Sequence, residues 1–457
     1  MLIFMICMSL VFYGYNNVKY VPLIVCSIVV NYLISRLFVW GRLDENARAR
    51  GIALLMGVMF NVGLIFYFKY YDFFFRNFNS VFHTDIAMKN LLLPLGISFF
   101  TFQQVSFLVD SYRKETADYG FLEYMAFVTF FPQLVAGPIV LHNELIPQFR
   151  DSSKGRIDWD NLADGLCRFC FGLFKKAVVA DTFAAAVAWG FKNVDKTSSA
   201  DLIIVMISYT FQIYFDFSGY SDMAVGLAQM VNLKLPINFN SPYKSYTIRE
   251  FWKRWHMTLT RFLTSYVYIP LGGSKKGQIR TYLNMFIVFL ISGIWHGANW
   301  TFILWGVLHG LLCIAERIFE KHISKVFPVV KWTVTFAMVN ILWLLFRAES
   351  VEQWKDLLLR IVTFDNMNIN AELLRVFDVP EREFIFRVLH LWNVNATVKG
   401  FPMLLFVLSA FIICLCFENN YYRKIRKNIF HAFVTIVIGG WALLSLAGDS
   451  VFLYFNF

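Results

Sequence analysis

The chain has 457 residues, of which 58% are hydrophobic, 19% aromatic and 16% charged, with a formal net charge of +11 and a mean hydropathy of +0.54. Soluble domains carry about 25% charged residues, so this composition excludes a water-soluble enzyme with a single anchor and indicates a polytopic membrane protein. The positive balance does not point to nucleic acid, because the basic residues cluster between apolar segments, as they do in cytoplasmic loops.

Hydrophobic segments recur from end to end, which predicts one integral domain over residues 1–457. The apolar N-terminus lacks a basic leader, so no cleavable signal is expected. Segments 1–15 and 21–40 form a first pair, and the loop after them carries Arg42, Arg48 and Arg50 and is placed in the cytoplasm. Residues 51–68 then cross outward and 92–109 return. The run 127–140 contains Pro132, Gly137 and Pro138, which a straight helix does not accommodate, so a broken or re-entrant segment is predicted. Residues 142–164 read as a polar cytoplasmic loop, followed by a crossing over 166–191. Residues 201–231 are apolar but hold Gln212, Asp216, Ser218, Ser221 and Asp222. Carboxyls at membrane depth must be paired or face water.

Residues 244–280 are the most basic stretch, with Phe251, Trp255, Leu259 and Phe262 at helical spacing. This predicts an amphipathic helix on the inner membrane surface. The next 35 residues, Thr281 to Ala315, contain no Asp, Glu, Lys or Arg and lie between two basic flanks. If both flanks are cytoplasmic, this run enters the membrane and returns, turning near Gly293 to Asn299. About fifteen residues rise about 22 Å as helix, less than a hydrocarbon core of about 30 Å. His296 is then deep, toward the far side. Residues 332–346 cross outward, 347–400 form an extracytoplasmic amphipathic segment, 401–417 return, and 429–446 make the last crossing after a basic stretch at 422–427. The predicted fold class is all-α, with about eleven transmembrane helices plus re-entrant and interfacial helices.

Several of these residues bear chemistry. Histidine takes and gives a proton near neutral pH, and an imidazole within an uncharged run needs a partner or a task. For His296 two readings stand side by side: a structural ring bonded to a carbonyl across a helix break, or a general base. Asn299, three positions on, orients the ring if the turn is helical, and Trp295 and Trp300 supply apolar walls. His256 shares a helical face with Trp252. It reads either as an interfacial ring among cations or as a second imidazole at the inner mouth of a path to His296. Arg249, Lys253 and Arg254 attract either a phosphate-bearing donor or anionic lipid. His309 lies about 220° from His296 on a continuous helix and is read as structural. Asp216 and Asp222 fix the rings or pair with Arg. Cys167 and Cys170 form a CxxC without a second pair, so packing is preferred and no metal site is assigned. Phosphate-loop, zinc-protease and serine-elbow motifs are absent from the sequence, which leaves direct transfer with a histidine base.

The motifs Pro94-Leu95-Gly96-Ile97-Ser98-Phe99-Phe100-Thr101-Phe102-Gln103, Phe131 to Ile139, Tyr214 to Asp222, Asn238 to Tyr243, Phe251 to His256, Tyr268-Ile269-Pro270-Leu271-Gly272-Gly273 and Ser292 to Trp300 together resemble the membrane-bound O-acyltransferase family. The core of the match spans 90–310, and the form of Ser292 to Trp300 is most similar to the branch that acetylates alginate, peptidoglycan and cellulose. The resemblance implies a central tunnel through a ring of helices, with His296 and His256 as the family's two histidines. A donor path is assigned to Asp216, Trp252, Arg254, Trp295 and Asn299. Thr264-Ser265 departs from an Arg-Asp pair frequent in the branch.

The resulting expectation is an O-acyltransferase of the bacterial plasma membrane. It would pass acetyl groups from acetyl-CoA or another acyl thioester, used as co-substrate with no permanently bound cofactor, toward an exported polysaccharide. An extracytoplasmic acetyltransferase is the expected partner, membrane lipid surrounds the chain, and nucleic acid plays no part. The alternatives are a D-alanyl or other acyl transferase using a carrier protein, a proton-coupled permease, and a scaffold for soluble acetyltransferases.

Overall fold

The computed structural model describes residues 2–41, 46–135, 137–379, 400–421 and 428–446. Every regular element among them is helical. Arg42, residues 422–427, and residues 380–399 of the expected extracytoplasmic segment lie outside the described residues.

Among the described residues, six apolar stretches are long enough to cross a membrane: Leu2–Val39, Ala47–Phe82, Ser199–Met230, Gln278–His296, Trp300–Ile318 and Pro328–Arg347. Phe401–Cys416 and Ile429–Ser445 are shorter apolar helices. The first stretch is the predicted pair, Leu2–Asn17 and Val21–Val39, joined by one 3-10 turn. The second runs past its predicted end at residue 68, through a π turn at Phe66–Tyr70, to Phe82. The helix predicted from residue 92 starts only at Ile97, because Pro94 and the left-handed Gly96 (φ 66°) precede it. The run 127–140 is broken as predicted: one helix stops at Thr129, a four-residue turn Phe131–Leu134 follows, and the chain then extends.

The polar loop predicted over 142–164 requires correction, since it contains the helix His142–Arg150. His142, Leu145, Ile146 and Phe149 of that helix are buried. Their spacing of three and four is a helical stripe, masked in the sequence by the charged residues around it.

The 32-residue helix Ser199–Met230 is the central post, with most of its length buried. It packs antiparallel on Trp159–Phe174 through two glycine pairs, each set seven residues apart. A Cβ at Gly172 would lie 2.6 Å from the Gly219 carbonyl oxygen, and one at Gly226 would lie 2.6 Å from that of Gly165. Without a hydrophobic drive between helices in lipid, such small residues let backbones meet. Buried amides do similar work near the N-terminus: Ser27 Oγ donates to Gln104 Oε1 at 2.9 Å and Asn61 Nδ2 to Asn31 Oδ1 at 2.6 Å.

Asp216 and Asp222 of the central post are paired, with lysines rather than arginines. Lys175 Nζ lies 2.6 Å from Asp222 Oδ2, and Lys176 Nζ lies 2.9 Å from Asp216 Oδ1 and 2.6 Å from Asp181 Oδ1. Both lysines open the π turn Lys175–Ala180, whose wider backbone lets two adjacent side chains reach toward one helix.

Candidate active site

The uncharged run folds back on itself. The helix Gln278–His296 ends at His296, residues 297–299 turn, and Trp300–Ile318 returns. The turn falls at the C-terminal end of the predicted window. Gly297 is extended (φ −170°, ψ 157°) and Asn299 caps the next helix, its Oδ1 accepting from the Thr301 N–H at 3.1 Å. The two helices are antiparallel and very close. A Cβ at Gly293 would lie 2.4 Å from the Phe302 carbonyl oxygen and 3.0 Å from the Gly306 Cα. Replacing Gly293 by valine is therefore expected to force the hairpin open. Overpacking of this kind costs about 1–3 kcal/mol, to be read as a lower unfolding temperature in detergent with reduced acyl transfer.

Asn299 does not orient His296. The turn is not helical, and its amide is used by the cap and by the Glu349 carbonyl, which accepts from Nδ2 at 2.9 Å. His296 is instead walled by aromatic rings: Trp295 at 4.8 Å, Phe346 at 5.0 Å and Trp305 at 5.2 Å between centroids. Only 4% of the residue is exposed.

His256 reaches the same place by another route. The predicted amphipathic helix over this stretch is broken. Ile248–Arg254 and Met257–Leu263 are separate, and His256 between them is left-handed, with φ 44°. It therefore does not share a helical face with Trp252. Phe251, Trp255, Leu259 and Phe262 are buried within the protein, not laid on a membrane surface. The break is held by Asn238, whose backbone carbonyl accepts from the Met257 N–H at 2.9 Å. The Asn238 Oδ1 accepts from Thr258 Oγ1 at 2.6 Å and lies 3.3 Å from His256 Nδ1, and Thr258 Oγ1 accepts from the Ile139 N–H at 2.9 Å. A carbonyl oxygen only accepts, so the neutral ring carries its hydrogen on Nδ1 and presents Nε2 as the basic nitrogen. That Nε2 is buried without a hydrogen-bond partner, as are Trp295 Nε1 and Trp305 Nε1.

Trp295 joins the two histidines. Its ring centroid is 6.1 Å from that of His256 and 4.8 Å from that of His296. The continuous helix assumed for His309 is corrected: the chain turns at 297–299, and the returning helix packs His309 against Trp305, 4.7 Å between centroids. Trp252 Nε1 donates to His309 Nδ1 at 3.1 Å.

A cavity of about 230 Å³ opens beside this cluster, with Arg249 and Lys253 among its lining, apolar walls from Trp252 and Phe289, and Ser292 one helical turn before His296. A second, of about 500 Å³, lies at the hairpin turn against Asn299, Trp300, Ser350 and Glu352. His296 is not among the residues that line either of these two cavities. Of the residues assigned to the donor path, Trp252 lines the first cavity and Asn299 the second. Asp216 is held by Lys176. Arg254 bonds Glu250, with Nε 3.0 Å from Oε1, and the Asn240 carbonyl.

Sequence reasoning missed three contributors. Asn238 and Thr258 stand within or beside quoted motifs but carried no assigned role. Lys69 was placed just beyond the end of a crossing, yet its Nζ donates to the carbonyl oxygens of Trp295 at 2.6 Å and His296 at 3.2 Å. The available signal was a lone lysine after eighteen uncharged residues, 51–68.

Residues 26–350 match the sequence profile of the membrane-bound O-acyltransferase family. The chain is 39% identical to the "Peptidoglycan O-acetyltransferase" of Helicobacter pylori over 98% of its own length and 90% of that protein's. It is 38% identical to the "Probable alginate O-acetylase AlgI" of Pseudomonas aeruginosa over 75% of its length and 66% of that protein's. It is 29% identical to the "Teichoic acid D-alanyltransferase" of Bacillus subtilis over 55% of its length and 66% of that protein's.

Proposed function

The chain belongs to the membrane-bound O-acyltransferase family and is a membrane acyltransferase, and we propose that it carries acetyl groups across the bacterial plasma membrane for O-acetylation of an exported polysaccharide. The observation that carries this reading is the meeting of His256 and His296 on Trp295, at the broken end of a helix beside a cavity with a basic mouth.

The cavity suits a thioester donor such as acetyl-CoA. Arg249 and Lys253 attract the phosphates by charge, and the apolar walls receive the acyl-bearing arm. His296 removes the proton of an acceptor hydroxyl, and the oxygen attacks the thioester carbonyl. The carbon–sulfur bond then breaks and the proton returns to the thiolate, giving an ester and a free thiol. His256, with Nε2 facing the cluster, assists on the donor side. Trp295 and Trp305 close the ring off from water and must move for the acyl group to pass. The acceptor is a glycan hydroxyl or an extracytoplasmic acetyltransferase that hands the group on. Acetyl transfer from labelled acetyl-CoA in membrane vesicles, with and without the His296→Ala substitution, tests this. Transfer of D-alanine from a carrier protein is the second reading, which the similarity to the teichoic acid enzyme favours, and the same vesicles with that donor decide between them.

About eleven membrane segments around a tunnel, in a single domain, complete the proposal. The hairpin helix Gln278–His296 has 19 residues and rises about 28 Å, which sets His296 near the far side of a core of about 30 Å. Single cysteines at Arg280 and Lys321, in a background lacking the seven native cysteines, are expected to react with an impermeant maleimide only from the cytoplasmic side. Labelling from opposite sides would rule out the hairpin topology.

A further inference from the structure

The helix that carries His296 ends where an ending is costly. Its last four carbonyls have no partner within the helix, and unmet backbone groups away from water carry a penalty of a few kcal/mol. Gly297 is extended, so the chain does not curl back to satisfy them. Another helix supplies the donors. Tyr70 Oη donates to the Ile294 carbonyl at 2.5 Å, and Lys69 Nζ donates to those of Trp295 and His296. Lys69 and Tyr70 are adjacent and close the π turn Phe66–Tyr70, a kind of turn frequent at functional sites. Lys69 Nζ also sits 5.8 Å from the ring centroid of Trp295, the side chain that meets both His296 and His256.

We propose that Lys69 is a positioning residue for acyl transfer: by holding the carbonyls of Trp295 and His296 it fixes where the imidazole of His296 and the indole of Trp295 stand relative to His256. It touches no substrate and moves no proton. The inference rests on His296 being the base. Displacing a reacting group by about 1 Å lowers turnover by about 100-fold, whereas donor binding depends on residues of the cavity with the basic mouth, and Lys69 is not part of its lining.

The test is steady-state acetyl transfer by the full chain in vesicles with acetyl-CoA as donor. Lys69→Met, which keeps length and removes the ammonium, is expected to lower kcat about 10- to 100-fold while KM for acetyl-CoA stays within about twofold, the split that separates positioning from donor binding. Lys69→Arg, which keeps a charged donor, is expected to recover part of kcat. Tyr70→Phe, acting two residues before the histidine, is expected to give a smaller fall of the same kind. If Lys69→Met does not yield folded protein, Lys69→Gln and Lys69→Arg read the same split. Wild-type kcat in the variants, or a raised KM with unchanged kcat, overturns the inference. His296→Ala run alongside keeps the two claims apart: an inactive His296→Ala with a fully active Lys69→Met sinks the role of Lys69 alone, and an active His296→Ala sinks the base itself.

Discussion

Replacing His296 by alanine is expected to lower acetyl transfer by about 10²–10⁴-fold, the range a positioned general base contributes. The imidazole stands at the broken helix end, walled by Trp295, Trp305 and Phe346. Since removing the ring also leaves space among those aromatics, His296→Gln, which keeps volume and a hydrogen-bonding end, is the companion variant. Both are expected to lose transfer, with the unfolding temperature of His296→Gln near that of the wild type. His256→Ala is expected to fall between them and the wild type, because its ring lies beside Trp295 rather than against His296, and the backbone break it occupies is held by Asn238. Undiminished transfer by both His296 variants would leave the histidine as packing and move the chemistry elsewhere.

The sequence made the hairpin legible for a physical reason. Thirty-five uncharged residues between basic flanks have few ways to satisfy both lipid and charge, and two glycines beside an Asn mark where the backbone turns. Extrapolation along a helix failed wherever the helix was interrupted. His309 was assigned a face on a continuous helix, and the turn at 297–299 brought it back against Trp305. Trp252 and His256 were assigned a shared face, and the left-handed His256 separated them. Periodicity assumes an unbroken repeat, and nothing in Trp252-Lys253-Arg254-Trp255-His256 announces a break. The break is set from outside, by the Asn238 strut and the Thr258–Ile139 bond, contacts that sequence spacing does not contain. The same holds for Lys69, whose meaning depends on a helix end more than two hundred residues away. The site is thus a meeting of two interrupted helices, each held at its interruption by a polar residue from a third element. That is what a membrane interior requires, since a free backbone end there has no water to turn to.

The interior charge pairs make the second large expectation. Substituting Lys176 by methionine is expected to destabilise the protein by about 3–5 kcal/mol, the cost of leaving a buried charge without its partner. Lys176 Nζ lies 2.9 Å from Asp216 and 2.6 Å from Asp181, and Asp216, 1% exposed, sits midway along the central post. The π turn that presents Lys176 lies against the Gly219 contact between the two helices, where a Cβ would sit 3.1 Å from the Lys176 backbone nitrogen, so a carboxylate stripped of its lysine has no room to swing toward water. The double variant Lys176→Met with Asp216→Asn leaves only the more exposed Asp181 charged and is expected to regain part of the loss, because neutral groups of similar size are tolerated where an unpaired ion is not. The measurement is the unfolding temperature of purified protein in detergent, wild type against single and double variants. A single variant as stable as the wild type would mean the pair is solvated, and the view of the Ser199–Met230 helix as a buried post would fall with it. If the pair is instead a strut for the site, activity should follow stability across the series, with KM for the donor unchanged, since neither residue lines the cavity that bears Arg249 and Lys253.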